Sequence, residues 1–309
     1  MAPENRVEDY VEGRRCPVCD TPKGIVKYRN ILHVCNVLKK AGVPFTNTDI
    51  RSDVFECARC GHKYLNPMLK GNVLERYYGE INSEFYDPIA SDPRNYHIDE
   101  TRAFAGFIAS RVPGGKALEI GCGLGHLLDE LRVKGFDCAG VDASPFATKF
   151  AREQLGLRVM TGFLDPETFG KEKFDVVILN DVIEHLAGPN EMFAVITGYL
   201  KPGGRVIVCT GNSNSFYARL CGRKWWYFYS WEHISFFCKS SIRCLFEKHA
   251  LRLTTFKRTR HAGSRMNNMK LLLRTFANIF LDLSGIRKCD YYCRYVVFDH
   301  FIAIGEKAE

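Results

Sequence analysis

The fold of this chain is decided by the stretch Ala117-Leu118-Glu119-Ile120-Gly121-Cys122-Gly123-Leu124-Gly125-His126-Leu127-Leu128. An apolar run leads into three glycines at alternate positions, and leucines at helical spacing follow them. This order predicts a buried strand, a tight turn and a helix whose first free N–H groups face the turn. Glycine suits the turn because it adopts left-handed backbone angles and lets a ligand approach the main chain closely.

A second acidic position indicates a nucleotide-like ligand at this turn. The next apolar run, Cys138 to Val141, ends at Asp142, which is placed like the acid that binds ribose hydroxyls in such sites. The dinucleotide pattern G-x-G-x-x-G does not fit, because His126 occupies the position of its third glycine. A glycine turn without any ligand is the alternative interpretation.

The turn and its two acids resemble motif I and the acidic loop of class I methyltransferases that depend on S-adenosylmethionine (SAM). The resemblance implies a set of SAM-binding residues: Glu119, Gly121, Gly123, Gly125 and Asp142. It further implies that Gly162 and Phe163, in the loop after the third strand, lie at the adenine of the cofactor.

Alternating strand and helix patterns predict an α/β domain over residues 113–309, with a Rossmann-like sheet covered by helices on both faces. We predict parallel strands at 116–120, 137–141, 157–160, 174–179 and 204–209, with helices near 125–134, 145–155 and 187–200. Two later apolar runs, 251–256 and 298–304, would complete a seven-stranded sheet. Ligands of open α/β sheets bind at the carboxyl ends of strands, so Asn180 and Asp181 are expected beside the cofactor.

The first seventy residues contain two C-x-x-C motifs, formed by Cys16 with Cys19 and by Cys57 with Cys60. Four thiolates match the ligand set of a tetrahedral structural zinc site, which leaves no open position for catalysis. We therefore predict a small zinc-ribbon-like module over residues 1–70, in which Cys35 belongs to the core. The thirteen cysteines and the absence of an apolar leader after Met1 favour reduced thiols and a cytoplasmic location.

Residues 71–112 are rich in aromatic side chains and include a predicted helix at 99–111. In methyltransferases of the class that the glycine turn resembles, helices before motif I cover the cofactor, so this segment is expected to form a lid. Tyr86, Tyr96 or His97 could then reach the site, although such aromatic residues more often only pack.

Candidate proton acceptors occur in two places after the glycine turn. His185 closes the Asp-Val-Ile-Glu-His sequence after the fourth strand, where it could be a general base or a structural helix cap. Glu232 and His233 lie in an aromatic insertion near residues 211–240, where a carboxylate beside an imidazole could act as a base pair. The aromatic residues around them could equally form a hydrophobic plug.

The zinc module, motif I and the two histidine motifs together resemble zinc-ribbon-bearing methyltransferases of bacterial polysaccharide and natural-product pathways, including sugar C-methyltransferases. That resemblance implies acid–base roles for His185, Glu232 and His233. It also implies a sugar, nucleotide-sugar or natural-product intermediate as the acceptor of the methyl group.

Positive charge is concentrated at the C-terminal end of the chain. Residues 239–309 contain 14 Lys and Arg against 6 Asp and Glu, although the whole chain carries only +8. This surplus fits an anionic small molecule, an anionic lipid surface or nucleic acid, or it is a solvated face. The segment 266–283 has an apolar face with a basic edge and could contact a membrane or a partner subunit.

We predict a SAM-dependent methyltransferase that acts on a small, anionic acceptor. The alternatives are an RNA methyltransferase, in which the zinc module and the basic end bind nucleic acid, and a non-enzymatic SAM-binding regulator or assembly protein. Nucleic acid is the less favoured partner, because the basic surplus is distant in sequence from the zinc module.

Overall fold

The computed structural model describes residues 11–33, 51–79, 98–230, 232–259 and 299–309. Its strands are β1 (Val11–Glu12), β2 (Gly24–His33), β3 (Arg51–Cys57), β4 (Lys63–Asn66), β5 (Met68–Leu69), β6 (Gly115–Ile120), β7 (Phe136–Asp142), β8 (Arg158–Thr161), β9 (Phe174–Asn180), β10 (Leu200–Gly211), β11 (Ser235–Phe236), β12 (Leu251–Thr259) and β13 (His300–Lys307). Its α-helices are α1 (Gly71–Gly79), α2 (Ile98–Ala109), α3 (His126–Val133), α4 (Pro145–Glu153), α5 (Pro189–Tyr199), α6 (Phe216–Cys221) and α7 (Lys239–Lys248).

The main sheet has seven strands in the order β12-β13-β10-β9-β6-β7-β8, which confirms the predicted fold class. β13 runs antiparallel to both of its neighbours, whereas the other pairings that involve β6 to β10 are parallel. The five strands that were predicted to be parallel are parallel, and the run 298–304, for which no direction was predicted, forms the antiparallel strand. Hydrophobic periodicity identifies a strand but carries no information on its direction.

The central strands are buried on both faces, because helices cover the sheet on each side. Along β9, Val177 and Leu179 enter one hydrophobic cluster, while Val176 and Ile178 enter the cluster on the opposite face. All four side chains are fully buried. Alternate side chains of a strand point to opposite faces, so this continuous apolar run is the pattern of a sheet packed between two layers.

The N-terminal strands form a second sheet with the order β11-β4-β3-β2. Its edge strand β11 comes from the aromatic insertion, and Ser235 pairs with Tyr64. The cysteine-bearing segment also packs into the main core, because Cys16 and Cys60 share a hydrophobic cluster with Phe237. The N-terminal sheet is thus completed by residues distant in sequence.

Several predicted features fall in parts of the chain outside the described residues. These are the segment 266–283, Cys35, and the lid candidates Tyr86, Tyr96 and His97. Within the ranges that the structure describes, none of the helices combines the length and the apolar character needed to cross a membrane.

Candidate functional site

The glycine turn has the backbone that the sequence predicted. Gly121 and Gly125 have φ angles of 67° and 84°, in the left-handed region, and α3 begins directly after Gly125. A Cβ atom on Gly121 would lie 2.5 Å from Cγ2 of Val182, and one on Gly125 would lie 2.7 Å from Cδ1 of Leu157. Conformation and space therefore both require glycine at these two positions.

Asp142 ties the end of β7 to the turn. Its Oδ2 accepts a hydrogen bond from the N–H of Gly123 at 2.8 Å, and its Oδ1 accepts one from the N–H of Ser144 at 2.8 Å. Burial raises the pKa of Asp142, and the two backbone hydrogen bonds oppose that rise. The carboxylate is thereby held in a fixed orientation at the carboxyl edge of the sheet.

Glu119 is a buried carboxyl group next to this turn. Burial, with a smaller contribution from Asp142, raises the pKa of Glu119 well above its ordinary value. Its Oε2 atom is buried and has no hydrogen-bond partner among the described residues. A buried acceptor without a partner is costly, so the site fits a polar ligand that supplies a donor, such as the ammonium group of SAM.

A cavity of about 550 Å³ opens at the carboxyl ends of β6, β7 and β9. Five of the predicted cofactor residues line it: Gly121, Asp142, Gly162, Phe163 and Asp181. The other four, Glu119, Gly123, Gly125 and Asn180, are not among its lining residues. The volume lies within the usual range for small-molecule sites, and the lining is mostly apolar with a few polar groups.

The opposite wall of the cavity comes from α1 and from the turn after β9. Tyr78 on α1 places its hydroxyl 2.9 Å from Nδ1 of His185, and both residues line the cavity. Glu232 lines the cavity too, and its backbone acts to raise the pKa of His185.

The His185 ring is uncharged at neutral pH. Burial lowers its pKa to about 4, although Asp181 and the backbone of Glu232 act in the opposite direction. A neutral imidazole can accept a proton, which a protonated one cannot. His185 is therefore in the protonation state that a general base requires.

A buried carboxyl group, Glu184, lies behind His185. Thr210 donates a hydrogen bond from Oγ1 to Oε2 of Glu184 at 2.8 Å, and the hydroxyl of Tyr227 donates to Oε1. Burial, with a further contribution from Asp181, raises the pKa of Glu184 to about 7. The two hydroxyl donors fix the carboxyl group, which positions the turn that carries His185.

His233 packs between this buried group and His185. Its ring centroid lies 3.9 Å from that of Tyr227 and 4.9 Å from that of His185. Nδ1 of His233 is 3.1 Å from the carbonyl oxygen of Tyr227, so it carries the donated proton. The structure thus brings the three predicted catalytic residues together, with Glu232 and His185 at the cavity and His233 behind them.

The sequence did not indicate several residues at or behind this cavity, among them Tyr78, Glu184 and His300. His300 is fully buried, and although burial alone would lower its pKa, Asp299 and Asp181 raise it to about 9. Tyr78 was hidden in a segment of many aromatic residues. Glu184 directly precedes His185 in the sequence, and this adjacency was the one available indication of its role.

The four predicted zinc ligands meet in one place. The Sγ atoms of Cys16, Cys19, Cys57 and Cys60 all lie within 4.8 Å of one another. The Sγ atoms of Cys16 and Cys60 are 3.6 Å apart, and those of Cys19 and Cys57 are 3.5 Å apart. A tetrahedral Zn²⁺ with bonds of about 2.3 Å to sulfur places its ligands about 3.8 Å apart, so the four thiols fit zinc.

A family model described as a methyltransferase domain matches residues 92–255, a span that contains the glycine turn and the turn with His185. The chain belongs to this methyltransferase family. The prediction of a methyltransferase domain is confirmed.

Among similar proteins is a ubiquinone biosynthesis O-methyltransferase of Cereibacter sphaeroides, 36% identical over 119 residues that cover 36% of this chain and 48% of the relative. A protein of the same name from Thiobacillus denitrificans is 30% identical over 146 residues, covering 45% of this chain and 62% of the relative. The match with the first of these relatives thus spans about half of that protein's length.

The crystal structure of magnesium protoporphyrin IX methyltransferase (ChlM) from Synechocystis, solved with bound SAH, has a similar fold. The TM-score is 0.53 at 15% sequence identity, and the match covers 77% of this chain and 100% of that one. At this level of identity the likeness establishes the fold.

Proposed function

We propose that this protein transfers the methyl group of SAM to a small-molecule acceptor, at a hydroxyl or an acidic carbon. One observation carries the proposal: a single cavity joins the glycine turn and Asp142 on one wall to the hydrogen-bonded pair of Tyr78 and His185 on the other. A cofactor site and a neutral base thereby face the same space.

On the cofactor wall, Asp142 would hold the ribose hydroxyls, Gly121 would allow close approach of the main chain, and Gly162 and Phe163 would border the adenine. Asp181 at the end of β9 completes this wall. When bound, SAM supplies a methyl group on a sulfonium, which is an already activated leaving group. The chain therefore has to orient the acceptor and remove its proton.

On the acceptor wall, His185 is the proposed base. An acceptor hydroxyl that hydrogen-bonds to the oxygen of Tyr78 can pass its proton through the Tyr78 hydroxyl to Nδ1 of His185. Glu232 lines the same wall and would bind or orient the acceptor, while His233 packs against His185 and orients its ring. Relatives named O-methyltransferases support an oxygen acceptor, and a sugar, nucleotide-sugar or natural-product intermediate remains our proposed substrate class.

The cysteine cluster is proposed to hold a structural zinc ion. Four thiolates fill a tetrahedral coordination sphere, so the metal would stabilise the fold and would not activate a substrate. The position of β11 supports this role, because the same sheet carries Cys57 at the end of β3 and includes a strand from the insertion that bears Glu232 and His233.

The proposal is tested with SAM that carries a labelled methyl group, incubated with the protein and cell extract and then separated into small anionic metabolites, lipids and RNA. We expect label in the metabolite fraction. The rate at which this fraction is labelled should fall about a hundredfold in His185→Gln. His249→Gln is the matched control, because His249 lies outside the cavity and bonds to Asn190. Label in RNA would replace the small-molecule acceptor, and SAM binding without transfer to any fraction would favour a regulator.

A further inference from the structure

A second cavity of about 730 Å³ lies at the same edge of the main sheet. It is bordered by the end of β10, the beginning of α7 and the end of β12, through Asn212, Asn214, Lys239, Ser240, Arg243, Phe256 and Arg258. The proposed methyl-transfer site uses none of these residues. The residues that line this second cavity, hereafter its wall, indicate a separate ligand.

Among the described residues that line it, the wall carries three cations and no carboxylate. Within the part of the chain that the structure describes, Arg243 and Arg258 form no ion pair, and the ammonium of Lys239 lies 5.6 Å from the ring centroid of Phe256. Arg252, on the same strand as Arg258, instead pairs with Glu306 at 2.8 Å. Uncompensated cations that converge on one space attract an anion.

Polar groups beneath the three cations add hydrogen-bond donors. Lys63 is almost completely buried and donates from Nζ to Oδ1 of Asn214 at 2.9 Å, which leaves the amide N–H groups of Asn214 as donors. α7 is ten residues long and begins at Lys239. The N–H of Ser241 already donates to the Cys238 side chain in a capping box, and the positive end of the helix dipole lies at this wall.

We infer that this second cavity binds the phosphate or diphosphate group of a small organic molecule. The two guanidinium groups can form paired hydrogen bonds with phosphate oxygens, and the ammonium of Lys239 adds a point charge. The ring of Phe256, which stacks on Phe301 at a centroid distance of 4.7 Å, adds an apolar group to the same lining.

His300 and Asp299 contact residues that line the two cavities. Nε2 of His300 lies 3.7 Å from Oδ1 of Asp181, which lines the first cavity. The carbonyl of the preceding Asp299 accepts a hydrogen bond of 2.6 Å from the N–H of Asn212, which lines the second. The phosphate-bearing molecule is assigned to the methyl acceptor because both cavities contact this pair of neighbouring residues. This assignment to the methyl acceptor rests on the proposed function, whereas anion binding does not.

The test is isothermal titration of the intact protein with inorganic pyrophosphate. Replacing either guanidinium, in Arg243→Gln or Arg258→Gln, should weaken the affinity about tenfold, which is typical for the loss of one charged hydrogen-bond partner. Lys257→Gln is the matched control, because Lys257 is adjacent on β12 but faces Phe107 on the other side of the sheet. Thermal unfolding of each variant verifies that the fold is intact.

Anionic lipid vesicles provide a second probe, since a lipid headgroup presents the same phosphate chemistry. Pyrophosphate binding without vesicle binding identifies a soluble ligand, and vesicle binding that the two arginine variants weaken identifies a headgroup. An equal loss in Lys257→Gln, or no binding of either probe, would overturn the inference. SAM binding measured on the same samples separates this failure from a failure of the proposed function.

Discussion

Replacing Glu184 by glutamine tests whether the buried carboxyl group behind His185 costs stability when it ionises. Glu184 is fully buried, and its oxygens accept hydrogen bonds from Thr210 and Tyr227. Burial and the nearby Asp181 raise its pKa from the ordinary value of 4.5 to about 7. Glutamine has almost the same shape and cannot ionise, so Glu184→Gln removes the charge and keeps the packing.

The sign and the size of the effect follow from linkage between proton binding and folding. Below pH 4.5 the carboxyl group is protonated in the folded and unfolded chains, so it contributes no pH dependence. Between pH 4.5 and about 7 the folded chain retains the proton while the unfolded chain loses it, so stability falls as the pH rises. Above this window the full difference of about 3 kcal/mol has been lost, at about 1.4 kcal/mol for each pH unit.

Glu184→Gln should therefore be less stable than the parent protein, or equal to it, at pH 4 and more stable at pH 8. The amide oxygen of glutamine can accept one of the two hydroxyl hydrogen bonds. The amide NH2 group cannot accept the other and must donate to that hydroxyl instead, which costs about 1 kcal/mol at every pH. The difference in the free energy of unfolding between variant and parent should thus increase by about 3 kcal/mol from pH 4 to pH 8.

Urea denaturation at half-unit steps of pH measures this difference directly. Glu167→Gln is the control, because Glu167 is exposed and its substitution removes the same charge without any change in burial. We expect the control to follow the parent protein across the range. A constant difference between Glu184→Gln and the parent protein would show that folding does not raise the pKa of Glu184, and it would refute the reasoning.

Three further predictions concern the cofactor, the base and the metal. Gly121→Ala should abolish SAM binding and cost at least about 1–2 kcal/mol of stability, because residue 121 has a left-handed backbone and a Cβ there would lie 2.5 Å from Val182. Retained affinity for SAM in calorimetry would contradict this prediction. Tyr78→Phe should lower kcat roughly a hundredfold and leave SAM affinity unchanged, whereas an unaltered kcat would remove Tyr78 from the proton path. Cys57→Ser should reduce bound zinc from about one equivalent to nearly none by atomic absorption, and full occupancy in this variant would exclude Cys57 as a ligand.

Much of the fold was readable from local patterns. Apolar runs located all seven strands of the main sheet, and the glycine turn with Asp142 located the proposed cofactor wall. These features are local, because a strand, a turn and a cysteine pair each depend on residues close together in the chain. The convergence of four cysteines at one point agreed with the spacing of their two motifs.

The acceptor wall was decided by tertiary structure. Tyr78 and His185 are 107 residues apart, and Lys63 and Asn214 are 151 residues apart, so no periodicity in the sequence connects the members of either pair. The direction of β13 was likewise decided by tertiary structure, because two strands can pair in either orientation with the same alternation of apolar residues.

The sequence by itself therefore determined the strand–turn–helix unit, the class of the sheet and the identity of the thiols, since these depend on backbone angles and burial of neighbouring residues. The tertiary structure alone decided which tyrosine meets His185, which hydroxyls meet Glu184 and which cations converge beside Asn214. Contacts of this kind arise when separate elements pack around a common core, and packing selects side-chain neighbours by shape and not by their position in the chain.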